Sequence, residues 1–343
     1  MDLKNFLFIL LAFVLLFVFF KKTNLLVDNV NYSNHKKIGA ENESPIVFGG
    51  LYLLIVFLFF FYEYSIYLTS SLFFITLLGF MSDKNVLSNP RIRLILQIIL
   101  IISLSFFENL QINDLKFDFF NLLLSDKYFN LFFTVFCLAV LVNGSNFLDG
   151  LNGLLTGYYL IILISLIFLT NSNEQIEIIN YNFLNIIFFI LLIFYIFNIF
   201  GLAYLGDSGS YFLSLLIGFY LIKLNNNFDS ISPYYIAVLL WYPAFENLFS
   251  LSRRILKKQN ASSPDNLHLH QLIYLFLKSK KIISKKMLNS ICGILILLIN
   301  LPGILIANNF PTKSLTLISI IIFNLSMYIF LYYFFSKNFV FKK

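Results

Sequence analysis

The stretch Phe129-Asn-Leu-Phe-Phe-Thr-Val-Phe-Cys-Leu-Ala-Val-Leu-Val-Asn-Gly-Ser-Asn-Phe-Leu-Asp-Gly-Leu-Asn-Gly153 begins as an apolar run and ends in a polar cluster. That cluster holds three carboxamides (Asn143, Asn146, Asn152), one carboxylate (Asp149) and three glycines (Gly144, Gly150, Gly153). A plain helix end needs one polar cap and one glycine, so the cluster exceeds that need. Asn143, Asn146 and Asp149 recur every three residues, which places them on one side of a helix. Carboxylates and carboxamides are costly to keep near lipid. Spaced glycines let backbone N–H groups approach an anion closely. A second stretch, Gly206-Asp-Ser-Gly-Ser210, precedes the apolar run Tyr211–Gly218. The two stretches together indicate a metal and phosphate site at the mouth of a membrane-embedded helix bundle.

Composition agrees. Of 343 residues, 59% are hydrophobic and 12% charged, and the mean hydropathy is +0.84. A soluble globular domain does not have this composition. A crossing needs roughly 17–25 mostly apolar residues. Eleven such runs are expected, at 4–20, 46–62, 64–81, 91–107, 129–145, 153–170, 183–200, 208–224, 233–250, 287–306 and 315–335. The expected fold is all-α and polytopic, with about 11 transmembrane helices in a single domain over 1–343. The first run ends in Phe17-Val-Phe-Phe-Lys-Lys22 without a small-residue cleavage site, so it is expected to remain as an anchor. Cys137 and Cys292 lie inside apolar runs and have neither disulfide nor metal spacing.

The net charge of +7 could suggest nucleic acid, but its distribution points to a membrane. With eleven spans, only Lys4, Lys116, Lys127, Lys223 and Lys313 fall on one side. The other 19 of the 24 Lys and Arg fall on the opposite side. That asymmetry marks the second side as cytoplasmic. The N-terminus is then outside and the C-terminus inside, with cytoplasmic loops at about 21–46, 82–90, 146–152, 201–207 and 251–286. The longest of these is expected to hold a short amphipathic helix around Leu272–Leu277. Every suspicious polar cluster lies on this side, so five loops could build one site.

Each cluster also has a plainer reading. Asp207 or Ser208 could simply cap a helix, as well as offering a carboxylate beside free amides and a positive dipole end to Mg²⁺ and a diphosphate. Asp83 and Lys84, within Gly79-Phe-Met-Ser-Asp-Lys84, could form an interfacial ion pair, and Arg91 and Arg93 could be orientation charges. His268 and His270 lie two apart, off a common helix face, with only Asp265 nearby, which disfavours zinc. Contact with a polyanionic substrate, shared with Arg253 and Arg254, suits them better. Glu246, beside Pro243, is the clearest carboxylate inside a span.

Taken in order, these motifs resemble the polyprenyl-phosphate N-acetylhexosamine-1-phosphate transferase family. That family includes phospho-N-acetylmuramoyl-pentapeptide transferase and the enzymes that initiate O-antigen and related glycans. The resemblance runs through Pro45-Ile-Val-Phe-Gly-Gly50, Gly79–Asp83 with Leu87, Ser88, Arg93, Leu94 and Gln97, then Asn143–Leu154, Gly206–Ser210, Arg253-Arg254 and Ser263–His270. It implies transfer of a sugar 1-phosphate from a UDP-N-acetylhexosamine to undecaprenyl or another polyprenyl phosphate, with release of UMP. Mg²⁺, or Mn²⁺ in its place, is the implied cofactor. The implied location is the bacterial inner membrane, with the site on its cytoplasmic face and the product feeding cell-wall or lipopolysaccharide synthesis. By the resemblance Asp83, Asp149 and Asp207 are catalytic, Asp207 and Asp149 hold the metal, and Asp83 lies near the attacking phosphate. Asn143, Asn146, Ser208, Arg254, His268 and His270 bind substrate. The His-Leu-His string is closer to the glycan-initiating branch. An oligomer is left open.

Three positions depart from the family pattern. Ser82 stands where the first of two adjacent aspartates belongs, Gln271 replaces a further histidine, and Asn152 a frequent aspartate. A phosphomonoester is mostly dianionic at neutral pH, its second pKa being about 6, so loss of a base at position 82 need not abolish attack. Two other classes remain: a catalytically impaired membrane scaffold, and a lipid or solute transporter, which would show charges buried mid-span and inverted halves.

Overall fold

The computed structural model describes residues 2–26, 46–172, 174–258, 267–281 and 284–339. Pro45, Ser263, Pro264, Asp265 and most of the expected loop 21–46 lie outside the described residues. The described residues form thirteen helices: α1 (Leu3–Thr23), α2 (Gly49–Phe61), α3 (Ile66–Asp83), α4 (Pro90–Phe107), α5 (Asp118–Leu124), α6 (Lys127–Leu148), α7 (Leu154–Ser172), α8 (Glu174–Ile199), α9 (Gly206–Asn227), α10 (Pro233–Leu256), α11 (Leu269–Lys280), α12 (Lys285–Asn309) and α13 (Ser314–Phe339). Eleven of them fall on the eleven expected runs. Helix α11 covers the expected amphipathic segment, and α5 is an additional short helix. The protein is an all-α polytopic membrane protein apart from one small pairing. Ile46–Val47 (β1) runs parallel to Ala203–Tyr204 (β2), so α2 starts three residues later than its apolar run.

Seven helices are long and apolar enough to cross a membrane: α1, α3, α4, α6, α8 from Asn182, α12 and α13. Helix α2 and the Leu154–Thr170 part of α7 are apolar but shorter. The remaining two long helices, α9 and α10, carry the polar groups Asp207, Ser208, Ser210, Ser214, Glu246, Arg253 and Arg254, all buried. Helix α9 explains how this is tolerated. It packs against α2, α3 and α6, and nearly every side chain from Asp207 to Ile222 is buried. Surrounded by protein rather than lipid, it has no need of a uniformly apolar surface. The outer helices show the opposite pattern, with Leu7, Leu11 and Leu15 of α1 and Ile322 and Phe330 of α13 exposed.

Close helix approach depends on glycine. A Cβ at Gly79 would lie 2.4 Å from Ser208 Cα, and one at Gly50 would lie 2.5 Å from Ser208 Cβ. Helices α2 and α3 therefore meet the first turn of α9 almost backbone to backbone. On α6, a Cβ at Gly144 would lie 2.0 Å from the Pro243 carbonyl oxygen. Pro243 lies inside α10, where its missing N–H frees the Leu239 carbonyl. The Tyr158 hydroxyl donates to that carbonyl at 2.8 Å, which satisfies the break from α7.

Candidate active site

The C-terminus of α3 and the N-termini of α4 and α9 meet at one end of the bundle, termed here the motif end. Asp83, the last residue of α3, accepts from Asp207 N at 2.8 Å, Ser208 N at 3.2 Å and Ser208 Oγ at 2.9 Å. It thus caps α9 from another helix. The preceding residue, Leu205, provides no side-chain cap. Gly206 permits this contact in two ways. Its φ is +74°, which favours glycine, and a Cβ there would lie 2.6 Å from Asp83 Oδ2.

This geometry corrects two expectations. Neither Asp207 nor Ser208 acts as the N-cap residue, because α9 already starts at Gly206. Their amides are not free to face an anion, because the Asp83 carboxylate accepts from both. A helix N-terminus draws the nearest available anion, and here the protein supplies one.

Asp207 is 2% exposed, and its charge is compensated within the fold. Arg93 Nη1 on α4 donates to Asp207 Oδ2 at 2.9 Å, and Ser82 Oγ donates to the same oxygen at 2.6 Å. Arg93 also donates to Ser82 Oγ. A buried carboxylate without such partners would be strongly destabilised. Arg93 looked like an orientation charge in the sequence; the structure makes it the counterion of Asp207. Ser82 fills the usual aspartate position with a donor. An aspartate there would set a second carboxylate against Asp207.

Helix α6 extends the site. Asn143 Nδ2 donates to Gln97 Oε1 on α4 at 3.1 Å, and Asn146 Nδ2 to the Tyr211 hydroxyl on α9 at 3.3 Å. The expected common face of Asn143 and Asn146 is therefore turned toward α4 and α9. Asp149 follows directly after α6. It lies three residues beyond Asn146, and Asp207 four residues before Tyr211. Each offset is about one turn, ~5 Å of rise, toward the same end of the bundle.

The loop after α6 is held by carboxamides from elsewhere. Asn198 Oδ1 accepts from Gly153 N at 2.9 Å and Thr156 Oγ1 at 3.0 Å, while its Nδ2 donates to Ala203 O at 2.8 Å. Asn289 Oδ1 accepts from Asn152 N at 2.6 Å. Asn152 is thus fixed through its backbone.

A second buried group lies beside the first. Phe147, between Asn146 and Leu148, packs on the His268 ring at 4.7 Å between centroids. His268 Nδ1 lies 2.9 Å from Glu246 Oε1, and the His270 ring is parallel to it at 5.4 Å. Arg253 anchors this region, donating to Leu267 O at 2.7 Å and the Tyr332 hydroxyl at 2.6 Å. Arg254 folds onto its own helix, its Nε donating to Ser250 O at 3.3 Å. Gln271 Oε1 accepts from His268 N at 3.2 Å, so the side chain in the further histidine's place helps start α11.

Residues 65–225 match the family model described as glycosyl transferase family 4. The match covers just under half of the chain. It spans α3 to α9 and so includes Ser82, Asp83, Arg93, Asn143, Asn146, Asp149 and Asp207. The chain is 29% identical over 220 residues to the "probable undecaprenyl-phosphate N-acetylglucosaminyl 1-phosphate transferase" of Bacillus subtilis, covering 61% of this chain and 58% of that protein. It is 31% identical over 140 residues to the "undecaprenyl-phosphate alpha-N-acetylglucosaminyl 1-phosphate transferase" of Thermotoga maritima, covering 41% and 42%. The matches thus span about half the length of these relatives.

Proposed function

We propose that the protein transfers an N-acetylhexosamine 1-phosphate from a UDP-sugar to undecaprenyl or a related polyprenyl phosphate, releasing UMP. The observation that carries this reading is the Ser82–Asp83–Arg93–Asp207 cluster at one end of an apolar bundle, with Ser82 and Asp207 buried, within the segment matched to the family. The basic bias of the loops supports placing that end at the cytoplasmic face of a bacterial inner membrane, with eleven crossings. The product would start a cell-surface glycan such as an O-antigen.

The reaction forms a P–O bond between an oxygen of the lipid phosphate and the sugar-bearing phosphorus of the donor. It breaks the bond from that phosphorus to the bridging oxygen, which leaves with UMP. The attacking phosphomonoester is already largely dianionic at neutral pH, with a second pKa of about 6. Charge neutralisation and in-line placement are therefore the main requirements. Arg93 suits the first, because its Nε is buried with no protein partner among the described residues and could donate to a phosphate oxygen. Asp83 holds the first turn of α9 and so fixes where Asp207 sits. Asn143 and Asn146 line the adjoining wall.

The donor set fits magnesium in a limited sense. Among the described residues no three His, Cys, Asp or Glu side chains gather as a metal group, which excludes a protein cage there. Mg²⁺ typically takes one or two carboxylates, with substrate phosphates and water filling the rest. Asp207 and Asp149 would hold it, and when bound it would neutralise diphosphate charge.

The test is incubation of purified full-length protein with polyprenyl phosphate, Mg²⁺ and a panel of UDP-N-acetylhexosamines. UMP and a polyprenyl-diphosphate sugar should appear together from at least one donor. Absence of both from every donor would favour the scaffold.

A further inference from the structure

Glu246 takes no part in the mechanism above, yet it is fully buried. It lies on α10, one turn past Pro243, where the close approach of Gly144 fixes α10 against α6. Its Oε1 is 2.9 Å from His268 Nδ1. His268 is itself only 3% exposed, and its ring is packed by Phe147 and parallel to His270. The backbone on either side is fastened, by Arg253 at Leu267 O and by Gln271 at His268 N. The imidazole is therefore set in place by contacts from α6, α10 and α11. A carboxylate at one ring nitrogen selects the tautomer with that nitrogen protonated.

We propose that Glu246 is a positioning residue of the sugar-phosphate transfer site, holding His268 with Nδ1–H toward the carboxylate so that Nε2 is the nitrogen that meets the donor diphosphate. The inference rests on the function proposed above and extends it to a residue outside the matched segment. Phe147 joins the two groups physically, lying next to Asn146, which touches Tyr211 one turn from Asp207. When both ring nitrogens carry protons, Nε2–H can donate to a phosphate oxygen beside this wall. Among the described residues, the other titratable or charged groups facing the pair are His270 on α11, Tyr242 and Arg253 on α10, and Tyr328 on α13.

The chain has only three histidines, His35, His268 and His270, so imidazole nitrogen spectra of ¹⁵N-histidine-labelled, substrate-free, full-length protein can be assigned with His35→Asn and His270→Asn. In the wild type, His268 should show Nδ1 protonated and hydrogen-bonded. Glu246→Gln removes the charged acceptor and can offer an amide N–H in its place. It should lower the share of His268 carrying Nδ1–H at least about twofold, and kcat/KM with it. Glu246→Asp should restore the wild-type Nδ1 signal while lowering kcat. An unchanged His268 tautomer in Glu246→Gln overturns the proposal, as does a lower kcat with unchanged His268 spectra. Because the spectra need no substrate, a wild type that releases no UMP would refute the proposed function separately.

Discussion

The bundle carries an ion pair at each end. At the motif end, Arg93 meets Asp207 at 2.9 Å with side-chain exposures of 22% and 3%; at the far end, Lys223 meets Glu108 at 3.4 Å with 34% and 14%. One pair joins α4 to α9 and the other joins the residue that ends α4 to α9, so they share a scaffold and differ in what surrounds them. At the far end Ser65 also donates to Glu108, Lys223 lies over the Phe219 ring, and a cavity of about 240 Å³ opens beside them. At the motif end Gly50, Gly79 and Gly206 bring three backbones together, and Asp83 and Asp207 each accept from more than one donor. A loosely packed, partly wet pair contributes little to stability. A buried pair in a dense polar network is worth its desolvation only if it organises something else. The far-end pair closes a helix contact, whereas the motif-end pair lies in the proposed site.

Four changes test this contrast, from the largest expected effect to the smallest. Asp83→Ala would leave Asp207 N, Ser208 N and Ser208 Oγ without their acceptor. At ~1–3 kcal/mol for each stranded donor, thermal unfolding should fall sharply, with more than a tenfold loss of UMP release. Gly79→Ala would press a methyl group onto the α9 backbone, and overpacking of this kind costs ~1–3 kcal/mol. Its melting temperature should drop visibly, and an unchanged one would show that α3 and α9 can separate. Ser82→Asp should leave turnover equal or higher, measured as UMP release against Mg²⁺ concentration. A large loss would mean that the serine hydroxyl is required. At the other end, Glu108→Gln should change activity by less than twofold and stability by ~1 kcal/mol or less.

Much of the fold could be read in the sequence because lipid imposes a simple rule on outer helices. Runs of about 17 or more apolar residues located eleven of the thirteen described helices, most within three residues. Helix α8 starts nine residues before its run, and α10 ends six residues after its own. The β1–β2 pairing was missed, since two-residue strands carry no periodic signal. In the site, glycine and asparagine clusters pointed to the right loops, because close backbone approach needs those residue types locally. The pairings themselves were hidden. Arg93 with Asp207 spans 114 residues and His268 with Glu246 spans 22, and one-dimensional spacing says nothing about contacts across helices. The cap supplied by Asp83 was hidden for the same reason: the sequence around Gly206 shows only the helix it caps.

The most direct check on the central claim is the initial rate of UMP release by full-length Asp207→Asn beside the wild type, at saturating Mg²⁺ and equal folded fraction. At least a tenfold loss is expected, because the amide keeps the shape and removes the charge that Arg93 and Ser82 hold in place. A variant within twofold of the wild type would contradict the account and move the chemistry away from this end of α9.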